Sequence, residues 1–173
     1  DYVRTRLTHS LEVSCVGRSL GLAVEEIISQ RHPQDELLAI DFGEVIAAAC
    51  LAHDIGNPPF GHSGEESIRH WFETSADGRR VLENMLPEQR DDFLKYEGNA
   101  QGFRILTRLQ YPTNPGGLQI CCATLGAFCK YPRPAQLPNG FALKGISSKK
   151  HGFFRSELEQ FLFVANTLGL PKV

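Results

Sequence analysis

Apolar positions recur at helical spacing along most of the chain. Over residues 5–28, Leu7, Leu11, Val16, Leu20, Val24 and Ile27/Ile28 predict a long amphipathic helix. The polar stretch from Gln30 to Asp35, with Pro33, predicts a turn after it. Asp41 is placed to cap a second helix, with Glu44 three residues on in a capping-box-like pattern. Val45, Ile46, Ala48, Ala49 and Leu51 make that helix apolar nearly all round, as buried helices are. Ser63, followed by Glu66, predicts the start of a third helix whose apolar side is Ile68, Trp71 and Phe72. Residues 74–87 are polar, contain Gly78 and Pro87, and read as a mobile connection or partial helix. Further helices are expected over about 99–109 (Phe103, Ile105, Leu106, Leu109), 118–129 and 156–168, the last with Ser156 at its cap and Glu159 at the box position. Tyr111 to Gly117 and Tyr131 to Pro134 are the breakers between them, and a loop follows through Pro138, Asn139 and Gly140. Only near Phe141–Leu143 does the pattern allow a short strand, and there is no repeat or low-complexity tract. The expected class is all-α, with helices packed around a central polar cluster.

Composition changes this picture little. A chain of 173 residues suits a single domain with a real core, and 42% hydrophobic with 22% charged residues is ordinary globular content. A net charge of −2 gives no global reason to expect a nucleic-acid or membrane partner. No apolar run approaches the ~20 residues of a membrane span, and no secretory signal opens the chain. The cysteines, Cys15, Cys50, Cys121, Cys122 and Cys129, are odd in number and lack zinc-type spacing, so they read as small reduced core residues of a cytoplasmic protein. The chain starts on Asp-Tyr and ends on Leu-Pro-Lys-Val without a closing element, which suggests a piece of a longer protein.

The candidate chemistry sits in residues 45–66. An apolar helix delivers His53-Asp54, a turn with Pro58-Pro59 follows, and His62 and Glu65 open the next helix. Imidazole and carboxylate at a helix end suit a divalent ion such as manganese, iron, zinc or magnesium. His9 supplies a third ligand if the first two helices pack antiparallel, and Arg6 shares its helix face. His62 and Glu65 are spaced for a hydrogen-bonded proton-transfer pair. Each also has a plainer reading: His53 as a cation at a helix C-terminus, His9 as an ordinary histidine, Glu65 as a first-turn carboxylate.

Five segments together carry a resemblance. RTRLTHSLEV at 4–13, AHDIGNPPFGHSGE at 52–65, YEGNAQGFRILTRL at 96–109, KYPRPA at 130–135 and KKHGFFRSE at 149–157 resemble, in the same order, the deoxyguanosine triphosphate triphosphohydrolase family of HD-domain enzymes. The resemblance implies an HD-domain helical bundle around a central metal site, with His9, His53 and Asp54 as metal ligands. It further implies His62 and Glu65 as the catalytic pair, and Arg6, Asn99, Lys130, Tyr131 and Lys150 as contacts to substrate phosphates. The implied reaction is metal-dependent hydrolysis of a deoxynucleoside triphosphate, dGTP first, to deoxynucleoside and inorganic triphosphate. Manganese or magnesium is the first expectation, with iron, nickel or zinc as alternatives. A homo-oligomer, and a single-stranded DNA or allosteric nucleotide partner, are implied in the same way; Lys144, Lys149, Lys150 and Arg155 would form the basic strip for DNA. The competing readings are another HD phosphohydrolase acting on nucleotides, and a non-catalytic regulatory module that binds nucleotide or DNA. Two departures stand out. Asn57 occupies a position where many members have histidine, and no aspartate follows Lys150 to match the family's last metal ligand. Asparagine, which some members also carry, argues against a simple two-metal site, and the missing aspartate suggests that the site is incomplete within this piece, which by itself is then a candidate for an inactive fragment.

Overall fold

The computed structural model describes residues 4–33, 41–137 and 150–170. Those residues are helical, with no strand among them. The turn residue Asp35, the loop at Pro138–Gly140, the strand expected near Phe141–Leu143, and Lys144 and Lys149 all lie outside them.

Helix α1 (Arg6–Arg31) starts at a reciprocal cap: Thr5 Oγ1 accepts from Thr8 N, and Thr8 Oγ1 accepts from Thr5 N. It runs antiparallel to α2 (Phe42–Ala52), because Ser14 Oγ donates to the Ala47 carbonyl at 2.9 Å while Gly21 faces Phe42 and Gly43. The seam between the two helices is built from small residues. A Cβ on Gly21 would lie 2.7 Å from the Phe42 carbonyl oxygen, and one on Gly17 would lie 2.5 Å from Cys50 Sγ. This corrects the expected amphipathic face. Leu7, Leu11, Val16, Leu20, Val24 and Ile27 are exposed, and Gly17 and Gly21 are the buried positions of α1. Backbone approach, available only to residues without a side chain, outweighs the aliphatic stripe as the packing surface here.

Asp41 caps α2 as expected, accepting from Glu44 N at 2.9 Å. Glu44 does not complete a box; its carboxylate is held by the Arg18 guanidinium. Nor is α2 buried all round, since Ala47 and Ala49 face inward while Ala48 and Leu51 are exposed. Helix α3 (His62–Thr74) begins earlier than Ser63 predicts, with Gly61 as the cap residue. Residues 74–87 are more ordered than their polarity suggests. Ser75 Oγ accepts from Gly78 N to open α4 (Ala76–Glu83), whose Leu82 is buried, and Pro87 occupies the first turn of α5 (Pro87–Leu94).

The helix expected over 99–109 is α6 (Gly98–Arg104), continuing into a π-helical turn, Ile105–Leu109. Left-handed backbone at Gly116, Gly117 and Gln119 delays the next helix, so α7 is short (Cys122–Phe128). A 3-10 turn (Arg155–Glu157) precedes α8 (Leu158–Leu168), and the Ser156 hydroxyl donates to the Glu157 carboxylate instead of capping. The core joins Ala49 of α2, Phe103 of α6, Leu106, Leu125 and Phe128 of α7, Phe153, and Phe161, Val164 and Ala165 of α8. Phe153 stacks on Phe161 at 4.1 Å between ring centroids. The cysteines form no disulfide; Cys122 and Cys129 are half-buried against the core and Cys50 in the α1–α2 seam, while Cys15 and Cys121 are exposed and so depart from the expected core role. No helix among the described residues is long and apolar enough to cross a membrane.

Candidate metal centre

The small-residue seam sets the α1–α2 distance, and so places His9 of α1 against His53 at the end of α2, with ring centroids 5.2 Å apart. The Cys50 carbonyl lies 2.7 Å from His53 Nδ1. A carbonyl can only accept, so Nδ1 donates to it, which turns Nε2 toward Asp54 as the nitrogen available to a metal ion. His53 Nε2 is 3.2 Å from Asp54 Oδ1, and His9 Nε2 is 3.8 Å from Asp54 Oδ2. Asn57 Nδ2 donates to Asp54 Oδ1 at 2.8 Å and holds the carboxylate in place. Two ring nitrogens and a carboxylate oxygen converging at this range make a donor set that a single cation can bridge. The ligand atoms of His9, His53 and Asp54 lie within 4.8 Å of one another. With imidazole and carboxylate donors and a carbonyl fixing the outer nitrogen of His53, the set fits a divalent metal ion. Arg6, Ser10 and Leu51 line an open cleft of about 470 Å³ together with Asp54.

The turn after Asp54 is anchored by backbone contact. A Cβ on Gly56 would lie 2.1 Å from both Gly102 N and the Gly98 carbonyl oxygen, so the turn lies directly against α6. Phe60 then adopts φ of 65° and is 92% exposed, an uncommon cost of ~1–2 kcal/mol for a non-glycine residue at a tight turn. His62 follows, exposed at the start of α3. Glu65 is buried and accepts from Gly98 N at 2.8 Å, with Arg69 Nη2 3.6 Å away. No hydrogen bond among the described residues joins His62 to Glu65, so the expected pair is present as neighbours on one helix turn without direct contact.

The expected phosphate contacts divide into two sets. Asn99 Nδ2 and Lys150 Nζ donate to the same oxygen of Glu97, at 2.6 and 3.1 Å, and Lys150 Nζ lies 5.9 Å from the centre of the Tyr131 ring. Arg6 stands apart from these beside Asp54, and Lys130 is exposed on the loop after α7. Glu97 and Arg69 were not singled out by sequence. Glu97 is 1% exposed and lies 3.7 Å from Arg69 Nη2, while Arg69 Nε donates to the Tyr96 carbonyl at 2.7 Å. The only sequence signal for them was the segment around YEGNAQ, where a buried carboxylate looks like any surface glutamate.

His151 closes this side. It is 1% exposed, and burial, followed by the charges of Arg133, Arg69 and Lys95, pushes it down to about 3. The ring is therefore neutral in the folded protein down to strongly acid pH. Unfolded histidine takes up a proton near ~6.5. His151 therefore leaves stability unchanged above that value and removes it as pH falls from there toward 3. The expected slope approaches ~1.4 kcal/mol per pH unit. In urea denaturation at pH 7.5 and pH 5, His151→Gln should lose less stability on acidification than wild type; equal losses would contradict the assignment.

Comparison with known proteins agrees with this geometry. A family model described as "HD domain" matches residues 6–101, which include His9, His53, Asp54, His62 and Glu65. The chain belongs to the HD domain family. It is 53% identical over 99% of its length to a deoxyguanosinetriphosphate triphosphohydrolase-like protein of Synechocystis sp., covering 40% of that relative. A protein of the same description from Pseudomonas aeruginosa is 48% identical over the whole chain, with 38% of the relative covered. A deoxyguanosinetriphosphate triphosphohydrolase of Enterobacter sp. is 33% identical over 90% of the chain, with 35% covered. The chain thus spans well under half the length of these relatives.

Proposed function

We propose that this chain carries the metal-binding part of a deoxynucleoside triphosphate triphosphohydrolase, with dGTP as the first candidate substrate and manganese or magnesium as the ion. The observation that carries the proposal is the His9–His53–Asp54 cluster, steadied by Asn57 and the Cys50 carbonyl, at a cleft that Arg6 lines. The names of the relatives support the substrate class.

A divalent ion held by His9, His53 and Asp54 would supply Lewis-acid polarisation of a phosphoryl oxygen. The other work falls to side chains of this chain. Arg6 offers a planar fork of donors to phosphate oxygens beside Asp54. Lys150 and Asn99, both tethered to Glu97, add further donors, and the tether limits the rotamer freedom they lose on binding substrate. Cleavage at the 5′ oxygen releases an alkoxide that must be protonated, and exposed His62 is the residue assigned to move that proton. Glu65, fixed by Gly98 N, sets the start of α3 from which His62 projects. The basic strip suggested for DNA gains no support: Lys150 is paired with Glu97, and Lys144 and Lys149 lie outside the described residues.

The test is incubation of the full-length protein with each deoxynucleoside triphosphate and manganese, with products separated by chromatography. Inorganic triphosphate and deoxynucleoside are expected. His62→Ala should retain metal and lose turnover by roughly 10²–10⁴-fold, the usual scale for a general acid or base, while Asp54→Ala loses both. Normal turnover in His62→Ala would remove the proton-transfer role. Release of inorganic monophosphate alone would exclude the triphosphohydrolase reading.

A further inference from the structure

One guanidinium stands between two buried carboxylates of this region. Arg69 of α3 places Nη2 3.6 Å from Glu65 Oε2 and 3.7 Å from Glu97 Oε2. Its Nε donates to the Tyr96 carbonyl at 2.7 Å, which anchors the fork at its base. Glu65 is 4% and Glu97 1% exposed. Each has its other oxygen already engaged. Glu65 Oε1 accepts from Gly98 N at 2.8 Å, while Glu97 Oε1 accepts from Asn99 Nδ2 and Lys150 Nζ at 2.6 and 3.1 Å. Gly98 is the chain neighbour of Glu97, so a single stretch of backbone brings both anions together. A Cβ on Gly98 would lie 2.7 Å from Glu65 Oε1 and 2.8 Å from Asn57 Oδ1, so α3, the turn after Asp54 and the start of α6 converge at this point. Neighbouring buried anions repel and need a shared counter-charge. Lys150 pairs with Glu97, and among the described residues Arg69 is the cation that faces both.

We propose that Arg69 is a positioning residue joining the two ends of the site, through Glu65 to the proton-transfer group His62 and through Glu97 to the phosphate contacts Lys150 and Asn99. The inference rests on the triphosphohydrolase reading above and extends it to a residue that acts through others. Arg69 and Glu65 are an i,i+4 pair on α3, and His62 lies one turn before Glu65 on the same helix. Glu97 reaches Lys150 across 53 residues of chain. A shift of α3 is therefore passed to Lys150 through one side chain, and a shift of Lys150 is passed back the same way. The planar fork is what makes this possible. It offers Nε to a carbonyl and Nη2 to two carboxylates at once, whereas an ammonium presents all its donors from one atom. The Arg69 side chain is 32% exposed, so water can replace it against the carboxylates and its loss is expected to leave the fold formed.

The test is steady-state kinetics of the full-length protein on dGTP with manganese, for Arg69→Gln, Arg69→Lys, Lys150→Ala and the Arg69→Gln/Lys150→Ala double variant, below their melting temperatures. Manganese affinity is measured alongside by electron paramagnetic resonance. Arg69→Gln should raise KM and lower kcat, each by about tenfold, within the range of couplings between neighbouring charged residues, with manganese affinity as in wild type. Arg69→Lys keeps the charge and loses the fork, and should restore the melting temperature without restoring KM. In the Lys150→Ala background, Arg69→Gln should raise KM by about twofold at most, because the donor that it positions is gone. An Arg69 that only supports the fold would add its full effect there. Unchanged KM in folded Arg69→Gln, or fully additive losses in the double variant, would overturn the proposal. A wild type that releases no inorganic triphosphate would instead overturn the reading on which it rests, and this inference with it.

Discussion

Gly56→Ala is expected to lower the melting temperature by about 6–12 °C and to weaken metal binding with it. A methyl group there would sit 2.1 Å from Gly102 N and from the Gly98 carbonyl oxygen, both of them backbone atoms. Neither can rotate aside as a side chain would, so the turn must lift off α6. Overpacking of this kind costs ~1–3 kcal/mol and more where nothing yields. Because neither backbone atom can yield, the upper end of that range applies, and at ~2–4 °C per kcal/mol for a chain of this size ~3 kcal/mol gives the stated shift. Asp54 lies two residues upstream and its partner Asn57 one residue downstream, so the displacement reaches the ligand set. Gly61→Ala is the informative contrast. No atom lies within 4 Å of its added methyl, and the cost there comes only from the backbone, φ 55° with ψ −125°, at about 1–3 kcal/mol. Metal titration beside thermal denaturation separates the two effects, because only Gly56→Ala presses on backbone next to the ligand set. A Gly56→Ala protein with wild-type melting temperature would mean that the turn does not depend on this contact.

Glu97→Ala should be the most damaging single charge deletion in the described structure. The carboxylate is 1% exposed, accepts from Asn99 and Lys150, and faces Arg69. Removing it leaves Lys150 and Arg69 without their shared anion. Breaking a buried pair by deleting one partner costs ~3–5 kcal/mol. The expected value lies toward the lower end, because Arg69 is 32% and Lys150 23% exposed and water recovers part of the loss. Glu97→Gln keeps the shape and one acceptor oxygen, and should recover a large part of the stability. Urea denaturation of the two variants measures this, and a Glu97→Ala loss below that of Glu97→Gln would show that the charge itself destabilises the fold.

The local features of the site were legible in the sequence, and those made between distant segments were not. Asp41 as a cap, His53-Asp54 at a helix end and the rigid Pro58-Pro59 turn each depend on residues a few positions apart. Helix α4 lies within the stretch that reads as a connection or partial helix, and α5 is nearly all polar, so neither shows an apolar period, although Ser75 at a cap and Pro87 in a first turn announce them. The face of α1 was misread for a physical reason. Periodicity scores apolar side chains, whereas Gly17 and Gly21 pack by having none. Glu97, Arg69 and His151 were invisible because segments far away in sequence bury or pair them, as with the 53-residue separation between Glu97 and Lys150. A charge matched across such a distance leaves no local pattern to read.

The central claim is that His9, His53 and Asp54 together hold a divalent ion. Manganese binding followed by electron paramagnetic resonance tests it directly, in the full-length protein and in His9→Ala, His53→Ala and Asp54→Ala variants shown by circular dichroism to stay folded. Saturable binding in wild type, with affinity reduced at least about tenfold in each variant, is the expected result, that being the lower end of the cost of disturbing even an outer partner of a metal site. Unchanged binding in any two of the three folded variants would contradict the claim.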